Sequence, residues 1–206
     1  SSTGQVAIKY GIQGPSLTIT TACAASANAI GEAKRMIEQN IVDKVLVGGT
    51  ESGTTSMTIG AFAQIKALSK QNDEPQKACK PFDKNRDGFV MAEGSTVLIL
   101  ENESSAKDRD AKVYGYISGY GSSTDAYHIT APSEGGVGAF RAMEQAIANA
   151  DISKENIDYI NAHGTSTPAN DLNETLAIKS LMNDYAYEVN ISSTKSMTGH
   201  LLGGGG

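Results

Sequence analysis

The sequence of 206 residues is short of cysteine, proline and positive charge. Its two cysteines lie outside any Cys-x-x-Cys pair, so neither a disulfide framework nor a structural zinc site is expected, and a reducing cytoplasm is the predicted location. Lys and Arg total 17 against 23 Asp and Glu, a net charge of −6. This balance argues against nucleic-acid binding and against a polybasic contact with a membrane.

Long apolar runs are also missing. No run approaches the roughly 20 residues that a membrane span needs, and the first letters, SSTGQVAIKYG, lack the charged and apolar regions of a signal peptide. The apolar share of 39% is that of an ordinary globular protein. The length suits one good-sized domain or two small ones, and no linker marks a boundary.

Short apolar runs alternate with helical patterns along the chain, which predicts an α/β architecture with buried, mostly parallel strands. We expect residues 95–101 and 112–120 to pair antiparallel, because a charged stretch joins them. The predicted strands are 17–19, 44–49, 95–101, 112–120, 157–162 and 187–194. The predicted helices are 24–39, one around 62–68, 140–150, and one from 171 toward 182.

Cys23 stands where a predicted strand gives way to a predicted helix. A helix N-terminus presents unpaired backbone N–H groups and the positive end of the dipole, and both favour the reactive thiolate. The neighbours Ala22, Ala24 and Ala25 are small, which leaves room for a substrate. The alternative is a buried cysteine that acts as a small apolar residue. Position alone leaves both interpretations open.

Three histidines are present, and two of them follow predicted strands. His163 opens the stretch HGTSTPAND, and His200 ends STKSMTGH, with Lys195 five residues before it. Loops at the carboxyl ends of strands are where α/β proteins place chemistry. We therefore favour a functional role for His163 and His200, and a structural role for His128.

Several polar residues near His163 have ordinary structural explanations. Thr165, Ser166 and Thr167 could be turn hydroxyls, and Asp171 with Glu174 could begin a helix as a capping pair. The run LLGGGG is not a P-loop, because no GK[ST] follows. There is no GxSxG either, so a serine hydrolase of that type is not supported.

Taken together, the motifs resemble the β-ketoacyl-acyl-carrier-protein synthases, and among them the elongating type II enzymes. The matching stretches are GPSLTITTACAAS, KPFDKNRDGFVMAEGSTVLILE, GYGSSTDAYHITAP, YINAHGTSTPANDLNET and ISSTKSMTGHLLG. The resemblance covers almost the whole chain. By this resemblance residues 1–206 form one ketosynthase segment that holds the end of the N-terminal half and most of the C-terminal half. The implied fold is thiolase-like, with duplicated αβαβα layers that are incomplete at both ends.

The resemblance implies an acyltransferase that elongates fatty acids by decarboxylative condensation. An acyl thioester and malonyl-acyl carrier protein would give 3-oxoacyl-acyl carrier protein. The substrates would be carried on phosphopantetheine, with no other cofactor and no metal. The implied catalytic residues are Cys23 as nucleophile, His163 and His200 as enolate stabilisers, and Lys195 and Glu174 as their supports. Thr165 and Thr167 would hold the pantetheine arm.

The implied partners are acyl carrier protein and a second copy of the chain, because the family is usually homodimeric. Residues 44–52, KVLVGGTES, are the candidate strand for that contact. The family's gating phenylalanine lies beyond residue 206, so we expect the isolated segment to be inactive and aggregation-prone. A polyketide ketosynthase, a non-catalytic ketosynthase-like scaffold and a Cys/His hydrolase remain alternatives.

Overall fold

The computed structural model describes residues 2–206, which alternate between helices and short strands. The helices are α1 (Ser2–Tyr10), α2 (Ala25–Glu38), α3 (Ser56–Gln64), α4 (Glu103–Asp108), α5 (Val137–Ala150), α6 (Pro168–Met182) and α7 (Lys195–Thr198). The strands are β1 (Lys44–Glu51), β2 (Gly94–Glu101), β3 (Tyr159–Asn161) and β4 (Asn190–Ser192). Among the described residues, no helix combines the length and apolarity needed to cross a bilayer.

The chain divides into two compact units. The first holds the described residues up to Glu51, together with Glu93–Tyr116 and Leu202–Gly206. The second holds Ser52–Ala92 and Ile117–Leu201.

The first unit is built on an antiparallel ribbon of β1 and β2, in which Lys44 pairs with Glu101 and Glu51 with Gly94. Helix α2 packs against β1. Its apolar positions recur at helical spacing, so Ala33 and Met36 are buried with Val47 of the strand. This small core holds the helix that begins just after Cys23.

The second unit contains the parallel pair β3 and β4, in which Ile160 is opposite Ile191. Helices α5 and α6 pack together, and the inner face of α6 buries Ala177, Ile178 and Met182. Parallel pairing brings the carboxyl ends of β3 and β4 to the same edge. The loops that carry His163 and Lys195 therefore start side by side.

Two predicted strands are wrong. Residues 17–19 and 112–120 form no strand, and β2 pairs with β1 instead of with 112–120. The backbone near residue 120 uses helix α5 for its hydrogen bonds: Tyr120 N donates to Asn149 and Ser122 N to Gln145. Gly121 permits this close approach, because a Cβ there would lie 2.0 Å from the Ala142 carbonyl oxygen.

Two further expectations about the elements need correction. One strand pair is parallel and the other antiparallel, and the side chains of Val97 and Ile99 in β2 are more than half exposed instead of buried. Helix α6 begins at Pro168 with Thr167 as its N-cap, three residues earlier than predicted. Asp171 and Glu174 therefore lie inside the helix and are available for contacts with neighbouring loops.

Candidate active site

Cys23 lies in the first unit, inside a single 3-10 turn (Ala22–Ala24) that leads directly into α2. Residue Ala22 has a φ of +50°, a left-handed conformation that is uncommon for a residue with a side chain. This sharp turn changes the chain direction just before the thiol. The side chain is partly buried, and Cys23 comes one residue before Ala24, the N-cap of α2, at the end of the helix where the positive end of the dipole favours a thiolate.

The first turn of α2 is supported by the glycine-rich segment near residue 206. Gly206 N donates to the buried Ser26 hydroxyl at 2.7 Å, and Gly203 N donates to the Glu51 carboxylate at 3.2 Å. A Cβ on Gly49 would lie 2.6 Å from the Ser26 Cβ. Small residues are therefore required where β1, α2 and residues 203–206 meet.

His163 lies in the loop of residues 162–167, between β3 and α6 in the second unit. This loop is anchored by Glu174, whose carboxylate accepts from His163 N at 2.6 Å and from Gly164 N at 2.8 Å. A carboxylate that accepts two backbone N–H groups forms strong, charge-assisted hydrogen bonds. Glu174 thus fixes the backbone of His163.

Lys195 and His200 lie on the segment that follows β4. Both side chains are buried, with relative exposures of 6% and 2%. The backbone of His200 is held on two sides, because its N–H donates to Val90 O at 2.8 Å and its carbonyl accepts from Ala92 N at 3.0 Å. The positive φ of Gly199, +71°, turns the chain into this position.

The two imidazole rings are neighbours. Their centroids lie 5.3 Å apart with the planes at 84°, and Phe89 packs edge-on against His200 at 4.9 Å. Loss of surrounding water, helped by the Lys195 charge, lowers the pKa of His163 to about 4. Burial first, then His163 and Lys195, lower the pKa of His200 to about 3. Both rings are therefore neutral at pH 7 and can donate N–H hydrogen bonds.

Thr165 and Thr167 are engaged with each other and with α6. Their hydroxyl oxygens are 2.8 Å apart, and Thr167 Oγ1 caps the helix by accepting from Asn170 N. Thr165 is buried. These contacts shape the loop, and the predicted role in holding pantetheine stays a prediction.

Sequence reasoning missed the interaction between this loop and residues 80–88. Asp171 is 1% exposed; it accepts from Phe82 N at 2.8 Å, and Arg86 Nε lies 3.1 Å from its carboxylate. The fully buried Ser166 accepts from Lys80 N at 3.0 Å. The sequence offered Asp171 only as a capping residue. A partner 85 positions earlier gives no local signal.

Cys79 is a second residue that the sequence left without a role. Its thiol donates to the Lys195 carbonyl at 2.9 Å. Burial raises the pKa of Cys79, so the sulfur keeps its proton for that hydrogen bond. His128 has a local structural role, as expected, because its Nδ1 accepts from Thr130 N and Ala131 N.

The second unit thus brings six of the seven predicted site residues into one region, and Cys23 lies in the first unit. Glu174 holds the backbone of His163, and the rings of His163 and His200 are in contact. The Lys195 cation contributes to the low pKa of both rings. A positive charge there also opposes a metal dication at the two imidazoles. The arrangement suits hydrogen-bond donation to a developing oxyanion.

Two family descriptions match the chain. The β-ketoacyl synthase N-terminal domain matches residues 2–106, and the β-ketoacyl synthase C-terminal domain matches residues 114–206. Proteins named 3-oxoacyl-[acyl-carrier-protein] synthase 2 are similar over 205 residues: one from Synechocystis is 52% identical, and one from Coxiella burnetii is 49% identical. The whole chain is covered in each case. It spans about half the length of these curated relatives, 49% and 50%.

Solved structures of ketosynthases also resemble the chain. A type II polyketide ketosynthase in complex with its acyl-carrier protein has a TM-score of 0.96 at 40% identity, covering 99% of this chain and 50% of that one. A β-ketoacyl synthase from Burkholderia phymatum has a TM-score of 0.92 at 35% identity, covering 98% and 48%. These neighbours confirm the predicted thiolase-like fold class for the part of the fold that the chain contains.

Proposed function

The chain belongs to the β-ketoacyl synthase family, and from this membership we propose that the intact protein elongates fatty acids by condensing carrier-bound acyl and malonyl groups. The product is a 3-oxoacyl-acyl carrier protein two carbons longer than the acyl group. The names of the relatives support this activity, as does the presence of the predicted nucleophile and both histidines. We propose further that the chain holds the end of the N-terminal half and most of the C-terminal half of that enzyme.

In the first half-reaction, Cys23 attacks the thioester of an acyl carrier protein. The Cys23 Sγ–acyl bond forms, the bond to the pantetheine sulfur breaks, and the proton lost by Cys23 ends on the released carrier thiol. The position of Cys23 at the start of α2 supports this role, because the helix dipole favours the thiolate. No redox or metal chemistry is needed for the transfer.

In the second half-reaction, a malonyl thioester loses carbon dioxide and leaves an enolate. His163 and His200 donate N–H hydrogen bonds to the enolate oxygen, which requires both rings to be neutral. The carbanion then attacks the acyl carbonyl on Cys23, the carbon–sulfur bond breaks, and the sulfur recovers a proton. The pair of contacting imidazoles with lowered pKa is the observation that carries this assignment.

The remaining residues act as supports. Lys195 opposes protonation of the imidazoles, and Glu174 anchors the loop of His163. Thr165 and Thr167 contact the pantetheine arm of the carrier. The acyl carrier protein is the proposed partner, as in the structural neighbour that contains one. We also propose a homodimer that uses residues 44–52, and a cytoplasmic location.

A polyketide ketosynthase is the second candidate, favoured by one observation. The polyketide enzyme is 40% identical with a TM-score of 0.96, but the fatty-acid enzymes reach 52% identity. The two functions differ in the product. A fatty-acid enzyme accepts a reduced acyl chain once per cycle, whereas a polyketide enzyme extends an unreduced 3-oxoacyl chain.

The deciding experiment uses the intact protein with acyl- and malonyl-acyl carrier proteins. We expect mass spectrometry to find the acyl group on Cys23 and a carrier-bound 3-oxoacyl product two carbons longer. Cys23→Ser should lose the adduct and Cys79→Ser, the matched thiol control, should keep it. No adduct at Cys23 would favour a non-catalytic scaffold, and a free fatty acid without a longer product would identify a hydrolase.

His163→Ala separates the two half-reactions. The variant should lose malonyl decarboxylation while Cys23 is still acylated at near the normal rate, because His163 acts on the enolate. Decarboxylation at the original rate in this variant would show that the enolate role is wrong.

A further inference from the structure

Ser193 lies between two functional segments of the second unit. It follows β4, precedes Lys195 by two residues, and is 5% exposed. Its hydroxyl donates to the Gly164 carbonyl at 2.9 Å, with the His163 carbonyl farther away at 3.4 Å. The same oxygen accepts from Lys195 N at 3.3 Å. One hydroxyl thus bonds the loop of His163 and the segment of Lys195 at once.

The two segments approach each other so closely at this point that a side chain at position 164 would clash. A Cβ built on Gly164 would lie 2.5 Å from the Ser193 Cβ and 2.9 Å from its Oγ. Gly164 also has a φ of +40°, which favours glycine. The contact therefore consists of a glycine backbone against a small hydroxyl side chain.

Neighbouring bonds on either side of Ser193 join the same two segments. Ala162 N donates to Ser192 O at 2.8 Å, and Thr194 N donates to Asn161 Oδ1 at 3.2 Å. Both lie at the end of the β3–β4 pair. The β3–β4 pairing ends at Asn161 and Ser192, and the Ser193 hydroxyl continues the contact between the two segments just beyond it.

His200 is held in a different way. Its backbone bonds run to Val90 and Ala92, and its ring packs against Phe89. Ser193 touches none of these atoms in the hydrogen bonds described above. A change at Ser193 should therefore displace His163 relative to Lys195 and leave His200 closer to its original place.

We propose that Ser193 is a positioning residue that fixes the distance between the His163 loop and Lys195. It acts through these two residues and contacts no reacting atom. The proposal concerns geometry within the second unit, and it rests on the proposed function only where catalysis is measured.

Removal of the hydroxyl leaves the Gly164 carbonyl and the Lys195 amide without this partner, and the two segments move apart. His163, which is already partly exposed, then meets more water while the Lys195 charge moves away from it. The other charged or titratable neighbours of His163 are Glu174 on α6 and His200 on the facing segment. Their own backbone contacts do not involve Ser193, so we expect both to stay in place. Since burial and Lys195 hold the pKa of His163 at about 4, its titration midpoint should rise by about one pH unit in Ser193→Ala. That of His200 should move by less than half as much.

The test compares Ser193→Ala, Ser193→Cys and Ser123→Ala in the intact protein. Ser123 supplies the matched control, because its hydroxyl also donates to a backbone carbonyl in the second unit, that of Gly138 at 2.6 Å. Histidine C2 hydrogen–deuterium exchange, read by mass spectrometry across pH, gives each midpoint separately. We expect a rise at His163 in Ser193→Ala, a smaller rise in Ser193→Cys, which keeps a weak donor, and none in Ser123→Ala.

Decarboxylation of malonyl-acyl carrier protein provides the second readout. In Ser193→Ala, kcat should fall by about 10- to 100-fold while KM changes by less than about threefold, since misplacement of a reacting group costs rate more than binding. Ser193→Cys should recover part of kcat.

The two readouts separate this proposal from the proposed function. If the unaltered protein does not decarboxylate malonyl groups, the proposed function fails and the histidine midpoints still decide the role of Ser193. If Ser193→Ala does not fold, the comparison of Ser193→Cys with the unaltered protein decides it. Unchanged midpoints at both histidines, or equal shifts at both, would overturn the proposal.

Discussion

The buried pair of Asp171 and Arg86 gives a prediction whose size follows from its contacts. Asp171 is 1% exposed and the Arg86 side chain 17% exposed. The Asp171 carboxylate accepts from Phe82 N and from Asn170 Nδ2, with Arg86 Nε 3.1 Å away. Every one of these three neighbours is a donor. Asp171→Asn replaces one acceptor oxygen with an NH₂ group, so one donor must face another donor.

The cost of this replacement has two parts. A buried cation that loses its anion costs about 3–5 kcal/mol, and this range includes the hydrogen bond that is broken. For a urea dependence of about 2 kcal/mol per molar, the midpoint of unfolding should fall by about 1.5–2.5 M. The measurement is urea unfolding of the intact protein, monitored by circular dichroism. Hydrogen exchange of the backbone amides in residues 80–88 and 162–174 shows whether the loss of protection is local.

A double-mutant cycle tests the reasoning itself. Arg86→Met removes the cation, so Asp171→Asn should cost at least about 1 kcal/mol less in the Arg86→Met background than in the unaltered protein. Lys84→Met, which removes a cation from the same loop without the contact to Asp171, is the matched control and should leave the cost unchanged. Additive effects of the first pair would refute the ion-pair account.

Three further predictions concern pH, loop anchoring and the glycine segment. The pKa values of His163 and His200 are depressed in the folded protein, to about 4 and about 3. Their contribution to stability is therefore full above the unfolded value of about 6.5 and is lost as pH falls toward those values. The free energy of unfolding, taken from urea curves, should drop by up to about 3 kcal/mol between pH 6.5 and 4 for His163 alone, and a flat profile would contradict this. Glu174→Gln leaves one of two backbone N–H groups facing a donor, so we expect about 1–3 kcal/mol of destabilisation and faster amide exchange at residues 163–164; unchanged exchange there would contradict the anchoring role. Gly206→Ala should destabilise the first unit, because its Cβ would lie 2.6 Å from Ala27 N. Gly203→Ala is the control and should change the urea midpoint little, because its Cβ would meet no atom nearer than 3.4 Å. Equal effects of the two substitutions would contradict the packing described.

Helices and strands could be predicted from the sequence where the spacing of apolar residues within the segment itself determines the structure. Helix α2 shows apolar residues at helical spacing, and β1 is a short apolar run that ends near glycines. Both are found where predicted, within two residues at each end. The run 112–120 has a similar local pattern and is not a strand. The backbone at the end of this run donates hydrogen bonds to side chains of α5, Asn149 and Gln145, instead of to a neighbouring strand. No pattern within the run reveals these partners.

The candidate site divides in the same way. The residue types and loop positions of His163 and His200 could be found from their places after apolar runs, and the motifs then supplied a proposed chemistry. The sequence does not reveal their lowered pKa or the anchoring of the His163 loop by Glu174, because both depend on contacts between separate segments. The same holds for the link through Ser193, whose hydroxyl bonds a carbonyl 29 residues earlier in the chain. Asp171 was assigned to a helix cap because its partners, Phe82 and Arg86, lie far away in sequence.

The bond between Gly206 N and Ser26 Oγ has a consequence for how the protein is synthesised. The two residues are 180 positions apart, so the first turn of α2 cannot gain this partner until the ribosome has made residue 206 and released enough chain for it to fold back. Contacts of such long range form late and slow folding. During translation the thiol of Cys23 would lie at the end of a helix that still lacks this bond. The helix that begins after Cys23 thus gains this bond only after the histidine-bearing segments have been synthesised.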